Sequence, residues 1–447
     1  MTSSETPTRY NGKWVPCKME GRFAEYSGHV RYSGITPKFE VFSQNRARKR
    51  VAFGSDPLIS MNFDGTVATL YNPVLTRQRN IGTSTTVLEF EPSLCVVGRR
   101  SWGENDRVYT LSARINGVDG VLGEVEQDQE LSASDPDSAL DTTTIQMESP
   151  RWRGRFFRSG QYNIFADRFV PNGHKFKIEF KDPAELDDVF QDLFEIRSFL
   201  VMCAGADVEV SEITIGASST DEQIDSFDLP RVIGRSSEKG EFDVAMSARF
   251  DGRKAIESAL NAWLNLESDW HAAKIGVFRY CIEERSNYGD RLLDACRWYE
   301  KLPTAIQRPL LSEDEKKSIV RRISESFPNL DASMQDRIRG ALRWFHLEDR
   351  RETISRIVST NPHLVKGNTK IDELVRLSVE GLRARGKYAH GPVGASNRGE
   401  LKELVSYVDA IAFVCFGEMF KAIGAPTSEN GLVAPHPMNY FLMSSRT

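Results

Sequence analysis

The sequence lacks the features of several common protein classes. No two of its six cysteines form a Cys-x-x-Cys pair, so buried thiols in a reducing compartment are expected instead of a disulfide framework or a zinc knuckle. No apolar run reaches the roughly 18 residues that a membrane-spanning helix needs, and the first residues, "MTSSETPTRYNGKW", contain no apolar signal core. The sequence therefore predicts a cytoplasmic protein with no membrane partner.

Signatures of cofactor and metal chemistry are also missing. Neither GxxxxGK[ST] nor GxGxxG occurs, which argues against nucleotide hydrolysis, and no GxSxG elbow supports a hydrolase. His29, His174, His363 and His436 show no spacing typical of a metal site, so no cofactor and no metal ion are predicted. The net charge of −5 is unusual for a duplex-DNA binder, but it permits a local basic site for RNA.

The first part of the chain has the residue pattern of a β-sheet. With 447 residues, two or three domains are expected. Residues 10–180 contain short β-prone runs, including a hairpin pattern around Asp64-Gly65. The arginine- and aromatic-rich stretch 151–169 favours a strand pair with an amphipathic exposed face, and a stacking surface for single-stranded RNA is the alternative. The acidic stretch 123–149 is expected to be an exposed loop, or a strand followed by one.

The period of the apolar residues then changes. "DPAELDDVFQDLFEIRSFLVMCAG" has helical spacing, with Asp182 as its expected cap and Pro183 at its first position. "DVEVSEITI" returns to a strand pattern, so a sandwich or open barrel with a packed helix is expected. The main domain boundary is predicted near residue 240. The resulting prediction is an α+β chain with a β-rich domain over residues 1–240.

Residues 248–424 are predicted to be almost entirely helical, and residues 425–447 to form a loose tail. A break is expected near Asn287–Gly289, and Ser312 with Glu315 forms a capping-box pattern. The last long helix is more apolar than one buried stripe requires, which fits either a face for a partner helix or a central helix of the bundle. The apolar positions concerned are Leu404, Val405, Val408, Ile411, Ala412, Val414, Cys415 and Phe416.

The segment "RARGKYAHGP", residues 383–392, carries the candidate chemistry. Arg385 and His390 form R-x4-H, and Arg383 and His390 form R-x6-H. On an unbroken helix, positions five apart point about 140° away from each other. Gly386 is a natural helix end, and a helix ending there would allow His390 to turn back beside Arg385.

An arginine and a histidine at one phosphate suit RNA cleavage without metal. Histidine exchanges protons near neutral pH, and a guanidinium binds phosphate oxygens and stabilises the charge of the transition state. The products would be a 2′,3′-cyclic phosphate and a 5′-hydroxyl. The alternative is that the segment has no catalytic role and is a solvated helix end, because basic residues in the last turn interact favourably with the helix dipole.

The context of this segment resembles a known family. A helical C-terminal domain whose R-x4-H precedes a glycine and a final apolar helix is similar to the HEPN superfamily of ribonucleases. The whole chain resembles ApeA-type anti-phage defence proteins, in "DRLLDACRWYEKL", "ELVRLSVEGLRARGKYAHG" and "YNGKWVPCKMEGRFAEYSGHVRYSGITPKFEVF". The resemblance implies a HEPN-like nuclease domain over residues 248–424 and a sensor or regulatory domain over residues 1–240 that recognises a phage-derived trigger.

The same resemblance implies the roles of individual residues. Arg385 and His390 would be catalytic, in a homodimer that cleaves RNA during infection and arrests growth of the cell. Glu300 matches an acidic position of the family and would orient the histidine or the arginine; a solvated helix end is its alternative role. The family commonly has a polar residue directly after the arginine, where this chain has Gly386, so either activity would be weaker or Lys387 or Tyr388 would substitute, with Arg383 in support. An inactive dimerisation scaffold, whose N-terminal domain binds a phage or host ligand, is the alternative function.

Overall fold

A computed structural model of the chain describes two compact units. The sheet unit comprises residues 1–200, 207–241 and 247–264, and the helical unit comprises residues 201–206, 242–246 and 265–447. The residues described are 14–21, 24–31, 38–43, 58–62, 66–81, 85–103, 105–123, 145–163, 168–218, 226–229, 232–235, 244–283, 287–327, 331–342, 344–365, 370–390, 398–427 and 436–444.

The strands of the sheet unit form one hydrogen-bonded series. Among the described residues there are fourteen strands, in the order β10-β11-β12-β9-β13-β14-β8-β5-β4-β1-β2-β3-β7-β6. The strands are β1 Trp14–Gly21, β2 Ala24–Arg31, β3 Lys38–Ser43, β4 Leu58–Asn62, β5 Val67–Tyr71, β6 Val74–Ile81, β7 Thr85–Glu91, β8 Leu94–Gly98, β9 Val108–Asn116, β10 Ile145–Glu148, β11 Trp152–Asn163, β12 Arg168–Ala184, β13 Glu209–Gly216 and β14 Ser226–Leu229. A short helix, α1 Asp119–Leu122, follows β9.

Two of the predicted strand pairs are present. β4 and β5 pair antiparallel, as the hairpin pattern required, although residues 63–65 of the turn lie outside the described residues. β11 and β12 pair antiparallel, with the side chains of Trp152 and Phe156 buried and those of Arg153 and Arg155 exposed. This alternation confirms the strand pair with an exposed polar face. Most of the acidic stretch, residues 124–144, lies outside the described residues.

The expected start of the next helix was wrong. Helix α2 spans Leu186–Ala204, whereas Asp182 and Pro183 belong to the end of β12. The pairing of β12 with β9 changes register between Glu179 and Ala184. A proline is tolerated there because the interrupted ladder does not need its missing N–H donor.

Helix α3, Arg253–Leu264, belongs to the sheet unit by its contacts. The fully buried Trp263 donates its indole N–H to the Glu195 carbonyl at 3.0 Å. Its ring lies 6.1 Å from that of Phe199, in an edge-to-face arrangement. The helical region predicted from the sequence therefore contributes its first helix to the core of the sheet unit.

The helical unit surrounds one long apolar helix. Its helices are α4 His271–Ile282, α5 Tyr288–Tyr299, α6 Glu313–Ser326, α7 Ala332–Ala341, α8 Arg350–Ser359, α9 Ile371–His390, α10 Arg398–Ala422 and α11 Tyr440–Ser444. Every residue of α10 from Val408 to Phe420 is buried, and α10 packs against α5 and α9. Trp298 and Phe416 meet edge to face at 4.9 Å. Of the two explanations for the many apolar residues of this helix, its burial within one chain favours a central helix of the bundle.

The predicted break and the predicted capping box of the helical unit are present. Asn287 caps α5 and accepts from the Asp290 amide, and α4 has already ended at Ile282. Ser312 and Glu315 form a complete capping box at the start of α6.

Among the described residues, no helix combines the length and apolarity required to cross a bilayer.

Candidate functional site

Helix α9 carries the R-x4-H segment, and it does not end at the glycine. It runs unbroken from Ile371 to His390, so the expected helix end at Gly386 was wrong. Gly386 is not among the residues with positive φ, and a Cβ added there would meet no heavy atom within 4 Å. The chain therefore passes through Gly386 in an ordinary helical conformation.

Contacts with α10 explain why the last turn of α9 remains helical. Tyr388 is buried, and its hydroxyl donates to Glu400 Oε1 at 3.3 Å. Lys387 forms an ion pair with the same carboxylate, and this contact raises the pKa of the lysine. Two side chains that follow Gly386 are thus bound to the first turn of α10, which offsets the low helix propensity of glycine. Lys387 and Tyr388, the expected substitutes for a polar residue at 386, both contact Glu400.

The unbroken helix decides which arginine shares a face with position 390. Helical positions 385 and 390 lie about 140° apart around the axis, whereas positions 383 and 390 lie about 20° apart and about two turns along it. Arg383 is exposed and forms no ion pair within the described part of the chain. The side chain of His390 lies outside the described residues. The expected convergence of Arg385 and His390 through a turn at Gly386 is therefore absent.

Arg385 and Glu300 form the ion pair at the centre of the site. Glu300 directly follows α5, and its carboxylate contacts the Arg385 guanidinium across 85 positions of sequence. The two side chains retain 37% and 42% of their exposure. A pair this exposed contributes little to stability, so a competing phosphate can displace the carboxylate at low cost. Glu300 is thus placed to orient the arginine, which is one of the two roles expected for it.

A buried thiol lies beneath this ion pair. Cys296 Sγ lies 3.9 Å from the Gly381 carbonyl, to which its thiol donates. Burial raises the pKa of Cys296 to about 12, with a smaller contribution from the charge of Glu300, while the charges of Arg385 and Arg350 act in the opposite direction. The thiol is therefore protonated at neutral pH, which excludes it as a thiolate nucleophile.

Arg350 is a neighbour of the site that the sequence analysis did not select. It is exposed, begins α8, and its Nη1 donates to the Leu382 carbonyl at 3.5 Å. In the sequence, Arg350 and Arg351 form only a basic pair after the capping residue Asp349, which is typical of a solvated helix start. No local signal distinguishes one arginine from the other, because the contact with α9 arises from tertiary packing.

Two of the other histidines, His436 and His346, have structural surroundings. His436 is buried and accepts from the Met438 amide at 3.0 Å, as the cap of a short 3-10 turn. The buried His346 lies 3.2 Å from Lys316 Nζ. His271 is exposed at the start of α4. In the part of the chain that is described, no three histidine, cysteine or carboxylate side chains are grouped so that they could hold a metal ion.

Comparison with known proteins gives no family. No protein-family model, no curated protein and no solved structure matches the chain. The resemblance to ApeA-type proteins and to HEPN nucleases therefore stays a prediction.

Proposed function

We propose that the protein is a metal-independent endoribonuclease that uses His390 together with Arg383 and Arg385. The observation that carries the proposal is the ion pair of Arg385 with Glu300, which holds a guanidinium at the solvent-exposed end of the helix that carries the R-x4-H segment. Guanidinium groups bind phosphodiester oxygens in a bidentate manner. If an RNA phosphate replaced the Glu300 carboxylate, Arg385 would still be paired with a negatively charged group.

The proposed reaction is an internal transfer at phosphorus. His390 accepts the proton of a ribose 2′-hydroxyl as this oxygen attacks the adjacent phosphorus atom. The P–O2′ bond forms while the P–O5′ bond breaks, and the leaving 5′-oxygen takes up a proton. The arginine stabilises the negative charge that develops on the phosphoryl oxygens. The products are a 2′,3′-cyclic phosphate and a 5′-hydroxyl, and no metal ion takes part.

Two proton transfers require two proton carriers. A single neutral histidine acts as the base, and the second transfer falls to His390 of a second copy in a homodimer. Within one chain, Arg383 is the arginine on the helical face of position 390, whereas Arg385 lies about 140° away. We therefore assign Arg385 to the phosphate that lies against Glu300, and Arg383 to the backbone of the RNA beside His390.

Sequencing of RNA 5′-hydroxyl ends from expressing cells tests the proposal. The His390→Ala variant is expected to fold normally and to lose the wild-type cleavage sites and the growth arrest. His271→Ala, a change at an exposed histidine outside the site, is the matched control and should cleave as the wild type does. Arg385→Ala should lower cleavage strongly, because the RNA phosphate that displaces the Glu300 carboxylate would lose its guanidinium. Unchanged cleavage by His390→Ala would refute the nuclease.

The sheet unit is proposed to regulate the nuclease, by recognising a phage-derived trigger. Under this proposal, activation leads to RNA cleavage and growth arrest in the infected cell. Cells that express the wild type should stop growing after infection, whereas cells that express His390→Ala should release phage. Equal phage release from both strains would contradict the role in defence without affecting the cleavage chemistry.

The unbroken α9 favours one alternative function. Since the turn that would bring Arg385 to His390 is absent, the alternative function is an inactive dimerisation scaffold in the helical unit, with a sheet unit that binds a phage or host ligand. Purified protein that yields no cyclic-phosphate ends from total RNA, with and without lysate of infected cells, would favour this scaffold. Cyclic-phosphate ends that depend on His390 would exclude it.

A further inference from the structure

We infer that Arg350 is a second phosphate-binding residue, which together with Arg385 holds neighbouring phosphate groups of one RNA strand. The inference rests on the nuclease proposed above, and it names a residue that the R-x4-H pattern does not contain. Three observations support it: the position of Arg350 against α9, its charge balance, and its relation to the buried Cys296.

The first observation is the position of the Arg350 side chain. Its Nη1 lies 3.5 Å from the Leu382 carbonyl of α9. Leu382 precedes Arg385 by three positions, so the two residues share one face of the helix and are separated by about one turn. The guanidinium of Arg350 therefore lies beside the turn that carries Arg385, although the two arginines come from different helices.

The second observation is the charge balance of the cluster. Arg385 is paired with Glu300, whereas Arg350 is exposed and forms no ion pair with any described residue. Arg356, on the same helix, is a useful contrast. It forms an ion pair with Glu348 at 2.8 Å and donates to the Thr304 carbonyl, and its side chain is largely buried. Arg356 thus has a structural role, while Arg350 contributes a positive charge that no carboxylate of the described residues neutralises.

The third observation concerns Cys296, which both guanidiniums influence. The charges of Arg385 and Arg350 each lower the pKa of this thiol, against the larger effect of burial. This influence agrees with the contacts of the two guanidiniums, Arg350 with the Leu382 carbonyl and Arg385 with Glu300. Two arginines and one carboxylate therefore share a small exposed region, with an excess of one positive charge that an anionic ligand would neutralise.

An RNA backbone fits this cluster better than an isolated anion does. The cluster has two guanidiniums from separate helices on one exposed surface, which suits a chain of phosphates. Phosphate contacts position a nucleic acid without reading its bases. Arg350 is therefore expected to strengthen the binding of any single strand by a similar factor, whatever its sequence.

Binding of a fluorescent single-stranded RNA of fixed sequence tests the inference. The full-length His390→Ala protein is the parent, because it should bind without cutting, and anisotropy is measured at several salt concentrations. Addition of Arg350→Ala should raise the Kd about tenfold and lower the magnitude of the slope of log K against log salt by about 0.7, the value for one phosphate contact on a single strand. Arg351→Ala changes the adjacent exposed arginine of the same helical turn, and this matched control should leave both quantities unchanged.

A second variant guards against an effect on folding. Arg350→Gln keeps a long side chain and a good helix former at the start of α8, and it should show the same loss as Arg350→Ala, with unchanged circular dichroism. If Arg350→Gln binds as tightly and with the same salt slope as Arg351→Ala, the inference is wrong. The nuclease proposal would still stand in that case, provided that the parent binds RNA and the wild type cleaves it. Failure of the wild type both to bind and to cleave RNA would refute the nuclease and this inference together.

Discussion

Asp409 is a buried carboxyl group of the helical unit whose pKa is raised by its surroundings. It lies on α10, and burial raises its pKa to about 7, with the charge of Arg291 acting in the opposite direction. Arg291 also lies over the ring of Tyr280, at 5.4 Å. The folded protein therefore holds Asp409 protonated over a range of pH in which the unfolded chain ionises it.

The Asp409→Asn variant should reveal this coupling. Between about pH 4 and pH 7 the folded state binds one more proton at Asp409 than the unfolded state does, so this group makes the wild type less stable as pH rises. Asparagine resembles the protonated form, and the variant should gain up to about 4 kcal/mol at pH 8 and almost nothing at pH 4. Thermal unfolding at both pH values measures this, with the exposed Asp372→Asn as control. A gain that does not depend on pH would contradict the assignment.

Two glycines of helix α9, Gly386 and Gly381, have different structural roles, and the role predicted for Gly386 from local sequence was wrong. Gly386 looks like a C-terminal cap, yet Tyr388 and Lys387 continue the helix through their contacts with Glu400 on α10. Gly381 on the same helix has a different reason to be glycine. A Cβ there would lie 2.9 Å from Ile411 Cδ1 and from Tyr407 Cβ, so it permits the close approach of α9 and α10.

The two glycines of α9 should respond to alanine in opposite directions. Gly386→Ala should raise the free energy of unfolding by about 0.5–1 kcal/mol, because alanine is the better helix former and the added methyl group meets nothing. Gly381→Ala should lower it, because the helices would have to move apart. Chemical denaturation of both variants measures the difference. Destabilisation by Gly386→Ala would indicate that the helix ends at the glycine after all.

Helices α6 and α7 differ from the rest of the helical unit in their burial. No described residue of either helix is buried, and Phe327 and Trp344 next to them are 52% and 60% exposed. By contrast, α10 is buried from Val408 to Phe420. Elements with few buried apolar side chains open at low free energy, so local stability should vary strongly between these helices.

Hydrogen–deuterium exchange of the intact protein should separate these helices. Amides of α6 and α7 are expected to exchange at least about 100-fold faster than those of α10, which corresponds to an opening free energy lower by about 3 kcal/mol. The capping box of α6 should protect it only weakly, since a cap contributes about 1 kcal/mol. Equal protection of α6 and α10 would show that another surface covers α6 in solution.

At the scale of the whole molecule, the proposed chemistry requires two copies. Except for Val405, which is half-buried, the apolar residues of α10 that suggested a partner helix are buried within the single chain, so their burial needs no second copy. The proposed homodimer rests instead on the need of the proposed reaction for a second proton carrier beside His390.

Light scattering at micromolar concentration should therefore give a mass twice that of the 50.5 kDa chain. Coexpression of two inactive copies, one carrying His390→Ala and the other Arg385→Ala, provides a check on shared sites. Partial recovery of cleavage is expected if the two copies complete one site. A monomeric protein that cleaves RNA at wild-type rates would remove the need for the second copy.

Local sequence was sufficient for the elements whose causes are local. The interleaving of arginine and aromatic residues predicted the strand pair that contains β11, the break near Asn287 preceded α5, and the capping box of Ser312 marked the start of α6. The candidate site was predicted only in part. Arg385 and Glu300 were both selected, but their contact joins residues 85 positions apart, and Arg350 was not selected at all.

The sequence by itself determined the order of a strand-rich part followed by a helical part, because periods of two and of 3.6 residues are properties of neighbouring side chains. Only the tertiary structure decided that α9 continues through Gly386, that Glu300 holds Arg385, and that Arg350 lies against Leu382. Each of these three features depends on which helices pack together. Packing is set by the burial of whole faces against partners that are distant in sequence, so a local pattern cannot specify it.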